Sequence, residues 1–438
     1  MHIMLKFYQG LKYLTNVKLL RLINNVNITD EELKVCTSII DLKLLTCPNV
    51  TDVGLVKLTN MQKLVIYKSD FNGTSLSQLT KLTRLILHGC LNIKIDGTLE
   101  ILTRLTDLNI EGNINIESLS NLKRLHLKDN DLLNDGLSKL TNLEILQLIN
   151  CKNMTDLCIK NLERLKTLVL TNNEIITNGI INLTNLEVLC LNYCINLEDS
   201  NFSKLRKLTK LQVHMSGITG THFHNLSKLS KLILCNCKNL DVNNLMQIPG
   251  QTVEYIFTNI KIINDILFKF PNLNYLHTSG EMITNDGLSK LHNIKNIHIL
   301  FNNKITDNGC KYLCNTKSVT FNFCSKIKDD GIKYLSNVVH LNLVFIHITD
   351  NGIKLLNNIK YLHLRRVSGV TDTSLSLLKK LKHVSIAQCN NIVGYFIKCT
   401  DKLKSIYVKE CINFNYLLIP STVEISKYYI GINTKIYE

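Results

Sequence analysis

The chain has 438 residues, 45% of them hydrophobic, which is ample for a core and excludes wholesale disorder. Lys and Arg outnumber Asp and Glu by 51 to 35, and a net charge of +16 favours acidic partners such as nucleic acid or an acidic protein face. Part of that surplus follows from a bias toward Ile, Asn and Lys, the residues of AT-rich codons. The opening run MHIMLKFYQGLKYLTNVKLL has no apolar core followed by a small-residue cleavage site, and no stretch reaches the roughly 18 apolar residues of a membrane span. The fifteen cysteines are therefore expected as free thiols in a reducing, intracellular and cytoplasmic setting.

In chain order, residues 1–16 stand outside any pattern and are expected to form an N-terminal cap. From Leu20 a Leu-x-Leu pair recurs: Leu42-x-Leu44, Leu64-x-Ile66, Leu85-x-Leu87, Leu108-x-Ile110, Leu125-x-Leu127 and Leu146-x-Leu148. The anchors continue at Leu168, Leu189, Leu211, Leu232, Ile256, Leu276, Ile297, Val319, Leu341, Leu362, Val384 and Ile406. That gives about 19 units at a mean spacing of about 21 residues over 17–419, the leucine-rich-repeat signature. Residues 420–438 leave the pattern again and are expected as a C-terminal cap.

Each Leu-x-Leu alternates inward and outward, as in a short strand. Five residues after the anchor comes a small inward residue: Cys at 47, 90, 151, 194, 237, 324, 389 and 411, Asn at 25, 113, 130, 173 and 302. An apolar plug follows, then Thr or Asp suited to capping a short helix, as in Val50-Thr51-Asp52 and Ile348-Thr349-Asp350. Helices about 10 Å wide stacked beside strands about 4.8 Å apart must curve the array. The expected fold is α/β, a curved horseshoe solenoid with a parallel β-sheet on the concave face and short helices on the convex face. Two steps are irregular. Leu108 to Leu125 leaves little room for helix, and Leu232 to Ile256 contains Pro249-Gly250, a candidate kink.

The stretches Leu42 to Leu58, Leu146 to Leu162 and Val319 to Leu335 resemble the cysteine-containing subclass of leucine-rich repeats. That subclass is known from F-box/LRR proteins, so the resemblance implies a substrate-recruiting role alongside ubiquitin-ligase components. Only 16 residues precede the first repeat, too few for an F-box. The AT-rich residue bias also resembles that of proteins from amoeba-infecting giant viruses.

No catalytic signature occurs, and one capping carboxylate per repeat has no orienting partner, so a non-enzymatic protein without cofactor or metal is expected. The close pairs Cys190/Cys194, Cys235/Cys237 and Cys310/Cys314 lack the second pair or paired His that a zinc site needs, and in the first two one member points inward and the other outward; Cys190 and Cys235, on the outer strand face, are the expected reactive thiols. The N-x-[ST] matches at Asn27, Asn49, Asn72, Asn153, Asn182, Asn201 and Asn225 follow from Asn-rich turns preceding Thr or Ser.

Function is expected on the outward strand positions (−1, +1, +3 and +4 from each anchor), which hold eight of the 13 histidines and 12 basic against five acidic residues. Late repeats place Tyr255, Phe257, Tyr275, His277, His298, Phe301 and Phe323 there, then His340, Phe345, Tyr361, His363, Arg365, Arg366 and His383. Aromatic rings with Arg are the residues of protein-binding hot spots, so this is the expected partner site. Early repeats present a secondary basic patch of Arg21, Lys43, Lys63, Lys68, Arg84, Arg124 and Lys128, which supports an alternative reading as a nucleic-acid-binding protein. His340, His363 and His383 fall on adjacent strands, so partner affinity is expected to change between about pH 5 and 7.5.

Overall fold

A computed structural model describes residues 2–5, 11, 16–90, 93, 95, 97–132, 136–259 and 264–426. Most of both expected caps (1, 6–10, 12–15 and 427–438) lies outside the described residues. The chain divides into two compact units, Met1–Lys228 and Leu229–Glu438.

Each unit is a stack of one repeated piece: a strand, a turn and a short helical segment. In the first, the described strands run from His2–Leu5 and Leu19–Ile23 through to Lys210–His214. In the second they run from Lys231–Cys235 to Glu424–Ile425. Within each unit neighbouring strands pair in parallel, anchor against anchor: Leu20 with Leu42, Leu42 with Leu64, Val319 with Leu341, Leu341 with Leu362. The Leu-x-Leu pairs are therefore the true register. Leu42, Leu44, Leu362 and Leu364 are at most 2% exposed, and burying each such side chain contributes about 1.5–3 kcal/mol.

The inward residue behaves as a hydrogen-bond donor at the strand's end. Cys324 Sγ donates to Asn322 O at 3.6 Å and Ile299 O at 3.5 Å. Asn173 Nδ2 donates to the matching carbonyls of Thr171 and Leu148, at 2.9 and 3.3 Å. Asn173 thus replaces a cysteine donor for donor, whereas Asn302 donates to Gly280 O and Ile283 O and Asn130 to Ile114 O. Asn113 is an exception: it is exposed, and its Oδ1 accepts from Asp131 N at 2.7 Å. It belongs to the short step between Leu108 and Leu125, which carries no helical segment among the described residues.

The second half of the repeat caps itself and its successor. Thr51 Oγ1 accepts from Val53 N at 3.2 Å, as an N-cap should. The aspartate acts one repeat further on: Asp30 accepts from Thr51 N at 2.8 Å and Thr51 Oγ1 at 2.7 Å, and Asp350 accepts from Thr371 in the same way. Asp52, 5% exposed, takes the backbone N–H groups of Asn72, Gly73 and Ser75 and the Ser75 hydroxyl. These carboxylates tie successive repeats together.

Many asparagines have the same duty. Asn142, Asn185 and Asn293 each donate from Nδ2 to a carbonyl of the preceding repeat, on Ser120, Glu163 and Pro271, at 2.8–3.1 Å. Asn49 and Asn153 do likewise on Val26 and Asp131, and Asn201 is fully buried, so these N-x-[ST] sites belong to the scaffold. In the long step, Pro249 precedes a 3-10 turn, Gly250–Thr252. A Cβ on Gly250 would lie 1.8 Å from Lys269 O, so only glycine lets these two segments meet.

Candidate functional site

Parallel pairing in register sets equivalent residues side by side about 4.8 Å apart, a spacing at which flat rings stack. The second unit uses this in three rows. At −1, Tyr255 stacks on Tyr275 (4.0 Å, 9°), and Tyr361 lies between His340 (4.1 Å, 7°) and His383 (4.6 Å, 8°). At +1, Phe257 stacks on His277 at 4.0 Å, and His277 on His298 at 5.6 Å. Further along that row, His363 Nδ1 is 2.8 Å from Ser385 Oγ.

The middle row is more enclosed than its outward positions suggest. Phe257, His298 and His363 are only 5%, 8% and 4% exposed, because neighbours on both sides and in the flanking rows cover them. Their contacts are with the sheet itself. Burial holds the His277 and His298 imidazoles down to about 4, with His298 adding to the effect on His277, and holds His363 down to about 3, with Arg365 adding to it. His340 is lowered by burial and then by His383 and Lys360; His383 is lowered by burial and then by Lys404 and Lys382. These rings are neutral, and their mutual repulsion is secondary to dehydration.

The third row lies in the turn that ends each strand. Its backbone is left-handed, with φ of +52°, +53° and +52° at Phe301, Phe323 and Phe345, and +53° at Arg366. Other repeats place residues suited to that conformation here, such as Asn24, Asn150, Asn172 and Gly280, or single less suited ones, such as Thr46, Tyr193 and Met215. A bulky ring there costs about 1–2 kcal/mol, and three occur in succession. Their N–H groups are fixed by the carbonyls of Asn322, Val344 and Arg365, at 2.8–3.0 Å. The rings stack (Phe301–Phe323 5.0 Å, Phe323–Phe345 4.0 Å), yet Phe301 remains 53% and Phe323 38% exposed. Arg366 continues the ridge, its guanidinium carbon 4.6 Å from the Phe345 centroid. Its Nε donates to Gln388 Oε1, and Gln388 Nε2 donates to Glu410 Oε2, both at 2.6 Å.

Beside the ridge runs an open groove of about 560 Å³, with Glu281, Asn303, Ser325 and His347 along its other side. The choice of −1, +1, +3 and +4 positions missed these four residues, which stand five or six places beyond an anchor, past the turn. The recurrence of Asn303, Ser325 and His347 at one offset in successive repeats was the available signal. Gln388 and Glu410 sit in a row already chosen, but without a ring they gave no cue.

In the first unit three of the seven residues of the basic patch have carboxylate partners. Arg84 and Arg124 share Asp107 at 3.3 and 3.1 Å, and Lys128 pairs with Glu111 at 3.5 Å and Asp129 at 3.7 Å. Lys43 Nζ lies 6.0 Å from the Tyr67 ring centroid. Arg21, Lys63 and Lys68 are exposed.

All fifteen cysteines are free thiols. The expectation of reactivity at Cys190 and Cys235 fails: Cys190 is 6% exposed with its pKa raised by burial, and burial pushes Cys235 up to about 11. A thiol that resists ionisation is a poor nucleophile. Among the described residues no group of three His, Cys, Asp or Glu is placed to hold a metal, and no helix is long and apolar enough to cross a membrane.

No protein-family model matches the chain, and no curated protein matches it significantly. Solved structures do. A leucine-rich-repeat protein of Leptospira interrogans is 17% identical over 92% of this chain and 100% of its own, with a TM-score of 0.52. An internalin, InlF, of Listeria monocytogenes is 21% identical over 76% of this chain and 88% of its own (TM-score 0.42). The functional domain of InlJ from the same species, described as including a cysteine ladder, is 19% identical over 86% and 74% (TM-score 0.40). The architecture is that of an α/β leucine-rich-repeat solenoid.

Proposed function

We propose that the protein is a non-enzymatic scaffold that binds a protein partner with the strand face and turn ridge of its second unit. The observation that carries this is the Phe301–Phe323–Phe345–Arg366 ridge, with Phe301, Phe323 and Arg366 exposed, on a backbone conformation that disfavours such side chains. A chain selected for stability alone would place Asn or Gly there, as seven of its other repeats do (Asn24, Gly89, Gly112, Asn150, Asn172, Asn236 and Gly280). Exposed rings beside a guanidinium have hot-spot chemistry. Replacing all three phenylalanines with Gly should abolish capture of the native partner without unfolding the chain. Undiminished capture would refute the proposal.

Recruitment of substrates to a ubiquitin ligase is a narrower form of this reading, supported by the resemblance of Leu42 to Leu58 and its counterparts to F-box/LRR repeats. Copurification of a ligase scaffold component tests it. Fifteen free thiols fit an intracellular, reducing location. Nucleic-acid binding is the weaker alternative, because Arg84, Arg124 and Lys128 already have carboxylate partners. A steeply salt-dependent affinity for an oligonucleotide, strong at about 50 mM salt, would restore it.

A further inference from the structure

The groove beside the phenylalanine ridge has a polarity that narrows the kind of partner. At one end Arg366 lies flat on Phe345, with Nε committed to Gln388. Its two terminal nitrogens form a fixed planar fork, and among the described residues no carboxylate pairs with it. At the other end stands Glu281, exposed and without a cationic partner among the described residues. It accepts from Asn303 Nδ2 at 3.1 Å, and Asn303 Oδ1 in turn accepts from the Ser325 hydroxyl and backbone N–H. Both relays therefore hold an ionised group in place while leaving its charge unmatched. Between the two ends one wall is apolar, formed by the three phenylalanines, and the other carries Asn303, Ser325 and His347.

Glu281 and Arg366 stand in turns four repeat steps apart, so at about 4.8 Å per step the groove is about 19 Å long. An extended polypeptide rises about 3.3 Å per residue, so about six residues span it. Resting on the scaffold reading, we propose that this groove seats an extended segment of the partner protein. The segment carries a carboxylate side chain at the Arg366 end, apolar side chains against the phenylalanines, and a Lys or Arg at the Glu281 end. A planar guanidinium fork receives a carboxylate through two parallel hydrogen bonds, which makes the acidic end the stricter requirement.

The test is selection of displayed six-residue peptides, randomised at every position, on the full chain. Expected winners carry Asp or Glu at one end, apolar residues centrally and a basic residue at the other. For a synthetic winner, Arg366→Gln should weaken binding about 10- to 100-fold. Repeating the selection on Arg366→Glu should exchange the acidic end for a basic one, and Glu281→Lys should do the reverse at the other end. An unchanged melting temperature checks that these exposed substitutions leave the fold intact; if Arg366→Glu unfolds the chain, loss of the acidic preference on Arg366→Gln decides. No enrichment on the wild type, or an end preference indifferent to Arg366, overturns the proposal. If capture of the native partner is still lost on the triple Phe→Gly variant, the scaffold reading survives that failure; if capture persists, both fall.

Discussion

At Phe323, glycine should be a better replacement than alanine, the reverse of the usual order. The residue sits at φ +53° with its ring between those of Phe301 and Phe345. Either substitution removes two ring stacks, each contributing about 0.5–1.5 kcal/mol beyond burial. Alanine keeps a Cβ and with it the backbone cost of about 1–2 kcal/mol, which glycine relieves. Against that relief, glycine's freer unfolded chain costs about 0.5–1 kcal/mol. The balance leaves Phe323→Gly above Phe323→Ala by about 0.5–1 kcal/mol, and both below the wild type. In a unit of this size that is about 1–4 °C in melting temperature. Scanning calorimetry with urea midpoints measures the order directly. Alanine equal to or above glycine would refute the claim that the ridge is held in left-handed backbone.

Two further predictions concern the scaffold. Asp52→Ala removes the acceptor of four hydrogen bonds that tie one repeat to the next, and should destabilise by about 2–4 kcal/mol. Asp52→Asn should recover part of the loss in the same urea titration, because Asn264 and Asn285 make the equivalent bonds to Thr284 and Thr306. Stability should also fall in mild acid. His277 and His298 are held down to about 4 and His363 to about 3, against the ordinary 6.5 of an imidazole in the unfolded chain. The unfolded chain thus takes up protons first: the stability these neutral rings contribute is full above about pH 6.5, declines as pH drops toward 4, and is lost below the folded values. A urea midpoint that stays flat from pH 7.5 to 4.5 would contradict this. Because His340 and His383 are also lowered, any change in partner affinity should fall in the acidic part of the window expected from their sequence positions.

The strands were legible because period-2 leucines leave one register that buries them, and Leu42, Leu64 and Leu85 pair as their spacing requires. The turn residues were legible too, since Cys47 and Asn25 recur at one offset and both prove buried. Direction was harder. Asp30 reads as a cap for its own helix, but its carboxylate also serves Thr51 in the next repeat, a contact of stacking that no single repeat encodes. Exposure within the sheet face was harder still. Sequence puts His298, His363 and Phe301 all on outward positions, yet the +1 row is roofed by its neighbours while the +4 row projects from the turn. The asparagine excess is only partly a matter of codons, because Asn142 and Asn185 bridge repeats. The pairing within the basic patch of the first unit was hidden for the same reason: Asp107, one strand from both Arg84 and Arg124, is visible as a partner only once the strands are paired.

The most direct test of the scaffold reading is photocrosslinking in the native cell, with benzoylphenylalanine in place of Phe323 or, as a control, of the exposed Val56 on the helical side of the first unit. The account predicts a discrete protein adduct from position 323 that is absent from position 56. No adduct at 323, or the same adducts from both positions, would contradict it.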